Sequence, residues 1–260
     1  MVDRVLVYVR QFDRNLWILS LGWFVSALGF AVSLPFIAIY FRDEFGISLT
    51  GIGVFFAVLA IVRSAVQVVA GEISDRLSRR QMAIYSQMAR ALAFLGLAAA
   101  IYWHWGVWWC GFWLTVHSIF GSIFHPVANA LVSDILPKRQ RLDGYAITRT
   151  AGNLGWAVGP AIGGYVASDS YGTLFVISAA VMLLSSLVFL GMRDVKQDSI
   201  QADRFRLRDL AAVKDDSRLA AHSLLTFTLY LVVAQLIVPF SVYAVDLVGI
   251  TKQQLGDLYT

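Results

Sequence analysis

The sequence predicts an all-α membrane protein, and three observations predict it. Apolar residues gather in long runs, the runs lack strand-like alternation, and cations collect in alternate gaps between them. Hydrophobic residues make up 58% of the 260, against about 45–50% in a soluble domain, and mean hydropathy is +0.67. An α-helix rises ~1.5 Å per residue, so a ~30 Å hydrocarbon layer takes about 20 apolar residues. Six runs reach that length, at 15–41, 50–71, 82–103, 107–133, 144–168 and 173–192, and a seventh fills 219–245. Strands cross lipid only as closed barrels whose residues alternate. These runs do not alternate, so they are read as helices.

The charge pattern sets an expected orientation. With the N-terminus in the cytoplasm, the inner segments hold sixteen Lys and Arg residues, and the outer ones only Arg42 and Lys252. Short cytoplasmic loops concentrate cations, so the net charge of +4 is a matter of topology and calls for no nucleic acid. A multi-pass location in a plasma or inner membrane follows. Cys110 is the single cysteine, which excludes a disulfide framework and a thiolate metal cluster. The first run is too long for a signal-peptide core, so it is expected to stay as a helix.

Taken in order, the first run carries Pro35 near its outer end. A kink there is tolerable because neighbouring helices can satisfy the freed carbonyl. Between the third and fourth runs lies a short turn with Tyr102, Trp103, Trp105, Trp108, Trp109 and Trp113 around it. Rings with a polar handle prefer the headgroup layer, so the cluster reads as a bilayer anchor, with ligand stacking as the alternative. Residues 193–218 form the one long polar segment, expected to be a cytoplasmic linker with a short amphipathic helix at 204–214 on the membrane surface.

An internal repeat follows. PFIAIYFRDEFGISLTGIG at 35–53 matches PFSVYAVDLVGITKQQLG at 239–256 with one residue of gap. The seventh helix thus repeats the first in the same orientation, a plan of parallel six-helix halves. The expected domains are a cytoplasmic N-terminus at 1–14, a six-helix bundle at 15–192, the linker at 193–218, and at 219–260 the seventh helix with the start of an eighth. On this reading the chain is the first half of a longer protein.

Two motifs stand in the loop after the second run and in the fifth run. GEISDRLSRR at 71–80 resembles the loop 2–3 signature of the major facilitator superfamily. Gly71, Asp75, Arg76, Arg79 and Arg80 match, and Ser78 replaces the usual second Gly. Asp75 and Arg79 are four residues apart, within reach of each other and of helix ends. The resemblance implies a cytoplasmic gate; a plain positive-inside loop is the alternative. AITRTAGNLGWAVGPAIGG at 146–164 resembles the superfamily's antiporter signature. Gly155, Gly159, Pro160, Gly163 and Gly164 match, and Ala146 replaces the first Gly. Gly152, Gly155, Gly159 and Gly163 fall within about 80° on a helical wheel, a smooth strip for a close partner helix. The signature implies proton-coupled antiport; tight packing alone is the alternative. LGFAVSLPF at 28–36 is similar to a shorter helix 1 pattern of twelve-helix drug–proton antiporters, with Ala38 at its usual second Pro. The family's helix 4 Arg is missing: anchoring on Gly121 places His117 there, and anchoring on Pro126 places Leu114.

Ionisable residues at membrane depth cost at least ~2.5–3.5 kcal/mol and usually face a cavity or a partner. Arg63 in the second run and Arg149 in the fifth are read either as cavity or coupling residues or as charge–dipole contacts. Arg149 shares its face with Asn153, Trp156 and Pro160. Arg90 in the third run is weighed as a partner for the loop cluster and as a cavity residue. His117 and His125 are weighed as proton carriers, since an unperturbed His titrates near pH 6.5, and as packing residues. Interior Asp and Glu are absent from the first six runs, so the substrate is neutral or anionic, or the acid lies in the other half.

Neither a phosphate-binding Gly-rich loop with Lys nor metal-ligand spacing nor a nucleophile motif occurs. No enzyme activity, cofactor or metal is expected. The resemblance implies a secondary transporter, a proton-coupled exporter of small organic molecules by alternating access. Two other readings stand: a truncated, non-transporting fragment or interaction partner, and a nutrient symporter or uniporter. The oligomeric state is not read from the sequence.

Overall fold

The computed structural model describes residues 11–74, 78–194, 216–237 and 239–260. The surface helix expected at 204–214, Asp75 and Arg76 lie outside them. Six long helices account for the first six runs: α1 (Arg14–Phe45), α2 (Leu49–Ser74), α3 (Arg79–Tyr102), α4 (Val107–Ile135), α5 (Arg141–Asp169) and α6 (Tyr171–Leu190). Then come α7 (Ser217–Ile237), α8 (Pro239–Asp246) and α9 (Lys252–Leu258).

Local chemistry sets the helix ends. Asp13 caps α1 by accepting from Asn15 N at 2.7 Å. Ser78, the residue that departs from the loop signature, caps α3 by accepting from Gln81 N. A side-chain oxygen at that position satisfies an otherwise orphan N–H, so the Ser has a structural use of its own. Gly106, at φ 88°, turns the chain from α3 into α4 beside the exposed Trp103, Trp105, Trp108 and Trp109.

In the bundle α1 packs most extensively on α5 and then on α6, α3 packs on α6 and α4, and α2 packs on α4. The order around the bundle is therefore α5, α1, α6, α3, α4, α2. Exchanging α1 with α4, α2 with α5 and α3 with α6 reproduces the same pairings, the signature of a three-plus-three repeat within the half. α1 is the most buried helix. Its Leu16 and Leu19 join a core with Phe124, Leu131 and Phe189, and Phe36, Ile37 and Ile39 join another with Phe94, Leu97 and Phe175.

Glycine sets the α1–α5 spacing. A Cβ on Gly155 would lie 2.5 Å from Phe24 O, and one on Gly159 2.5 Å from the Ala31 Cβ. At Gly163 it would collide with Val32 O. The strip read from the sequence thus faces α1, backbone against backbone. Gly164 points elsewhere, toward α9, where a Cβ would meet Lys252 O at 2.7 Å.

One feature differs from the sequence reading. Six helical stretches among the described residues are long and apolar enough to cross a membrane, and α5 is not one of them. It is long enough at 29 residues, but its glycines, Asn153 and Arg149 lower its apolarity, because two of its faces are spent on helix contacts. The seventh run is helical over 217–237 and 239–246, and that stretch is among the six. Pro35 sits inside a continuous α1.

The repeat is visible in three dimensions. α1 ends at Gly46 with φ 62°, and Gly249 after α8 has φ 77°. Ser48 then caps α2 through Gly51 N at 3.2 Å, and Thr251 caps α9 through Gln254 N at 3.1 Å. The repeated segments also touch. Arg42 forms an ion pair with Asp246, which stands three residues before Gly249 as Asp43 stands before Gly46. Lys252 Nζ lies 3.2 Å from Asp43 and 4.3 Å above the Tyr171 ring. Tyr171 donates to the same Asp43 carboxylate at 3.1 Å. α8 buries Ser241, Val242 and Ala244, whereas α7 is exposed along most of its length.

Gly159→Leu should force α1 and α5 apart and lower the stability of the detergent-solubilised protein by ~1–3 kcal/mol, the usual range for overpacking. Gly53→Ala is the control, since nothing lies within 4 Å of the added methyl. Equal melting temperatures for the two variants would contradict a glycine-set spacing.

Candidate functional site

Five helices enclose a cleft of about 110 Å³ inside the bundle. α1 supplies Trp23, Ser26 and Phe30 from one face, at the three- and four-residue spacing of helical neighbours. Arg63 comes from α2, Arg90 from α3, His117, Gly121, Phe124 and His125 from α4, and Trp156 from α5.

Arg90 is the organising group. It is 6% exposed. Its Nη1 donates to Ser26 Oγ at 2.9 Å and to Gln87 Oε1 at 3.0 Å, and Gln87 Nε2 donates to the same Ser26 oxygen at 2.8 Å. Nη2 lies 3.5 Å from His117 Nε2, and Nε has no hydrogen-bond partner. The guanidinium also sits 5.7 Å from the Phe30 ring centroid. Every acceptor is neutral. Gly121 leaves the necessary room, since a Cβ there would lie 3.3 Å from Arg90 Nε.

His117 is fully buried between two rings. Phe94 stacks on it at 3.7 Å and Phe30 at 5.4 Å. Its Nδ1 faces Arg90 O at 3.5 Å, so the tautomer with the proton on Nδ1 suits both neighbours. His125 is exposed, edge-on to Trp23 at 5.7 Å. On the Gly121 anchoring, the signature position that lacks its Arg holds His117, and a guanidinium reaches that spot from α3 instead.

A second cleft, of about 310 Å³, adjoins the first. Leu34, Pro35, Asn153, Trp156, Ala157, Pro160 and Tyr259 line it. Trp156 belongs to both clefts and meets Phe30 edge-on at 5.7 Å.

The structure brings Arg63, Arg90, His117, His125 and Trp156 together and places Asn153 beside them. Arg149 is exposed on α5 and lines neither cleft. Arg90 lies in the cleft and not at the loop cluster that was weighed as its partner. Gly71 falls in the last turn of α2. Arg79 Nη1 pairs with Asp134 Oδ1 at 2.6 Å, which ties the start of α3 to the end of α4. Arg80 pairs with Asp194 at 3.2 Å and donates to Leu190 O at 2.8 Å, which ties α3 to the end of α6. Sequence reasoning missed Ser26, Gln87 and Asp134. Gln87 was within reach, three residues before Arg90 and on its face; Ser26 and Asp134 carry no such signal.

The family model described as Major Facilitator Superfamily matches residues 19–258. A Na(+), Li(+), K(+)/H(+) antiporter of Planococcus maritimus is 27% identical over 75% of this chain and 45% of its own length. The Multidrug resistance protein MdtG of Enterobacter lignolyticus is 27% identical over 92% of this chain and 58% of its own. The chain thus spans about half the length of the curated relatives it matches. A solved structure titled as a bacterial homolog to the human lysosomal transporter Spinster, inward-facing and unoccupied, superposes with a TM-score of 0.73. It is 14% identical, covering 94% of this chain and 58% of that one, so the likeness is one of fold.

A double-mutant cycle on Arg79→Ala and Asp134→Ala should return a coupling of about 1 kcal/mol or more, read from unfolding in mixed detergent. Additive single effects would mean that the 2.6 Å pair contributes nothing of its own.

Proposed function

Because the chain belongs to the Major Facilitator Superfamily, a family of membrane transporters and not of enzymes, we propose that it serves a secondary transporter, a proton-coupled exporter of small organic molecules. The observation that carries this reading is the aromatic and basic cleft, which draws side chains from five helices and sits within the bundle. Alternating access calls for a solute site at the interface between structural repeats, and both three-helix repeats contribute to this cleft. The antiporter-like strip of α5 supports proton exchange, as do the printed names of relatives, one an antiporter and one a multidrug resistance protein.

On this reading, transport breaks and remakes contacts at the two ends of the bundle in turn. At one end stand the Arg42–Asp246 and Asp43–Lys252 pairs, which join α1 to the segments around α8 and α9. At the other stands the loop signature, where Gly71, Asp75, Arg76, Arg79 and Arg80 form the proposed cytoplasmic gate. Arg79 and Arg80 position it by fastening α3 to α4 and α6. The N-terminus and the 193–218 linker lie in the cytoplasm, and the Ser48 turn lies outside. Arg63, Arg90, His117, His125, Asn153 and Trp156 act at the solute or proton path.

Two measurements test this. In proteoliposomes with an imposed pH gradient, the full-length protein should move at least one of a panel of anionic, neutral and cationic dyes, and a protonophore should abolish the movement; uncoupler-insensitive flux would point to a uniporter. For orientation, Ser48→Cys should react with a membrane-impermeant maleimide on intact cells, and Lys138→Cys only after permeabilisation. Cys110 is buried and adds little background. The reverse labelling pattern would invert the topology.

A further inference from the structure

The cleft carries positive charge without an acid. Arg63 and Arg90 both line it, and neither it nor the adjoining cleft has an Asp or Glu among its lining residues. Arg90 is almost wholly buried, is held by Ser26 and Gln87 alone at full hydrogen-bond distance, and keeps an unpartnered Nε. Neutral acceptors orient a guanidinium but leave its charge uncompensated, and an uncompensated cation at membrane depth is costly. The groups that suit a guanidinium are planar or tetrahedral oxyanions, which accept from its fork of donors at two points.

The surroundings specify the rest of the ligand. Trp23, Phe30 and Trp156 are flat walls, and Trp156 leads into the larger cleft, whose other lining is apolar apart from Asn153 and Tyr259. A cationic solute would meet two guanidinium groups and no carboxylate. A neutral one would leave the charge of Arg90 unmet.

We propose that the two clefts together bind an organic anion, its acid group facing Arg63 and Arg90 and its planar apolar body against Trp156. The inference rests on reading the cleft as the solute site and adds the class of solute, a carboxylate, sulfonate or phosphate ester on an aromatic or similarly flat body.

Three probes share one body and differ in charge: 2-naphthoate, 2-naphthol and 2-naphthylmethylammonium. Calorimetric titration of the purified full-length protein in neutral detergent should rank them in that order, with the carboxylate about tenfold tighter than the naphthol. Arg63→Gln should remove most of that preference and leave naphthol binding unchanged. Arg90→Gln should do the same, and Arg90→Lys, which keeps the charge, covers the case in which the Gln variant fails to fold. Ammonium binding as tight as the carboxylate, no carboxylate binding at millimolar concentration, or an unaltered preference in Arg63→Gln would each overturn the proposal. Its failure is separable from failure of the transport reading. Proton-driven movement of a cationic dye without naphthoate binding refutes the anion site alone. Arg-dependent naphthoate binding without any flux refutes transport alone.

Discussion

The close approach of α1 and α5 is the constraint on which the bundle depends. Lipid offers no hydrophobic drive between helices, so they associate through complementary surfaces. Here the complement is the absence of side chains. Gly155, Gly159 and Gly163 let the α1 backbone lie where Cβ atoms would otherwise be. From that contact follow the burial of α1 and the placing of Phe30 beside Trp156. With α1 fixed, Ser26 is presented to Arg90, and the cleft acquires both a polar anchor and an aromatic wall.

The bundle architecture was legible because the bilayer imposes length and polarity so directly. Six runs gave six helices with ends within a few residues of those expected. The repeat was legible too, since Pro-Phe, a left-handed Gly and a capping Ser or Thr each have one local structural job. What could not be read depends on tertiary contacts. The limited apolarity of α5 makes sense only once its glycines are seen to be occupied by α1 and α9.

The site was half legible. Arg63, Arg90, His117 and His125, ionisable residues at membrane depth, line one cleft together with Trp156. Their partners were harder: Gln87 lies three residues before Arg90 and was within reach, but a Ser inside an apolar run carries no sign of what it will hold. Arg149 shows the opposite limit. It shares a helical face with Asn153 and Trp156 on the wheel, but lies one turn from Asn153 and two from Trp156 along the axis, beyond the lining of either cleft. Angular position alone did not predict cleft membership.

The two ion pairs between the repeated segments run in opposite senses. Arg42 of the first segment meets Asp246 of the second, and Lys252 of the second meets Asp43 of the first. Each segment therefore gives one cation and receives one, and the four charges cancel across the seam. All four side chains are partly exposed, so the pairs add little to stability. Their effect is on register, because a slip of one segment along the other would misplace both pairs together.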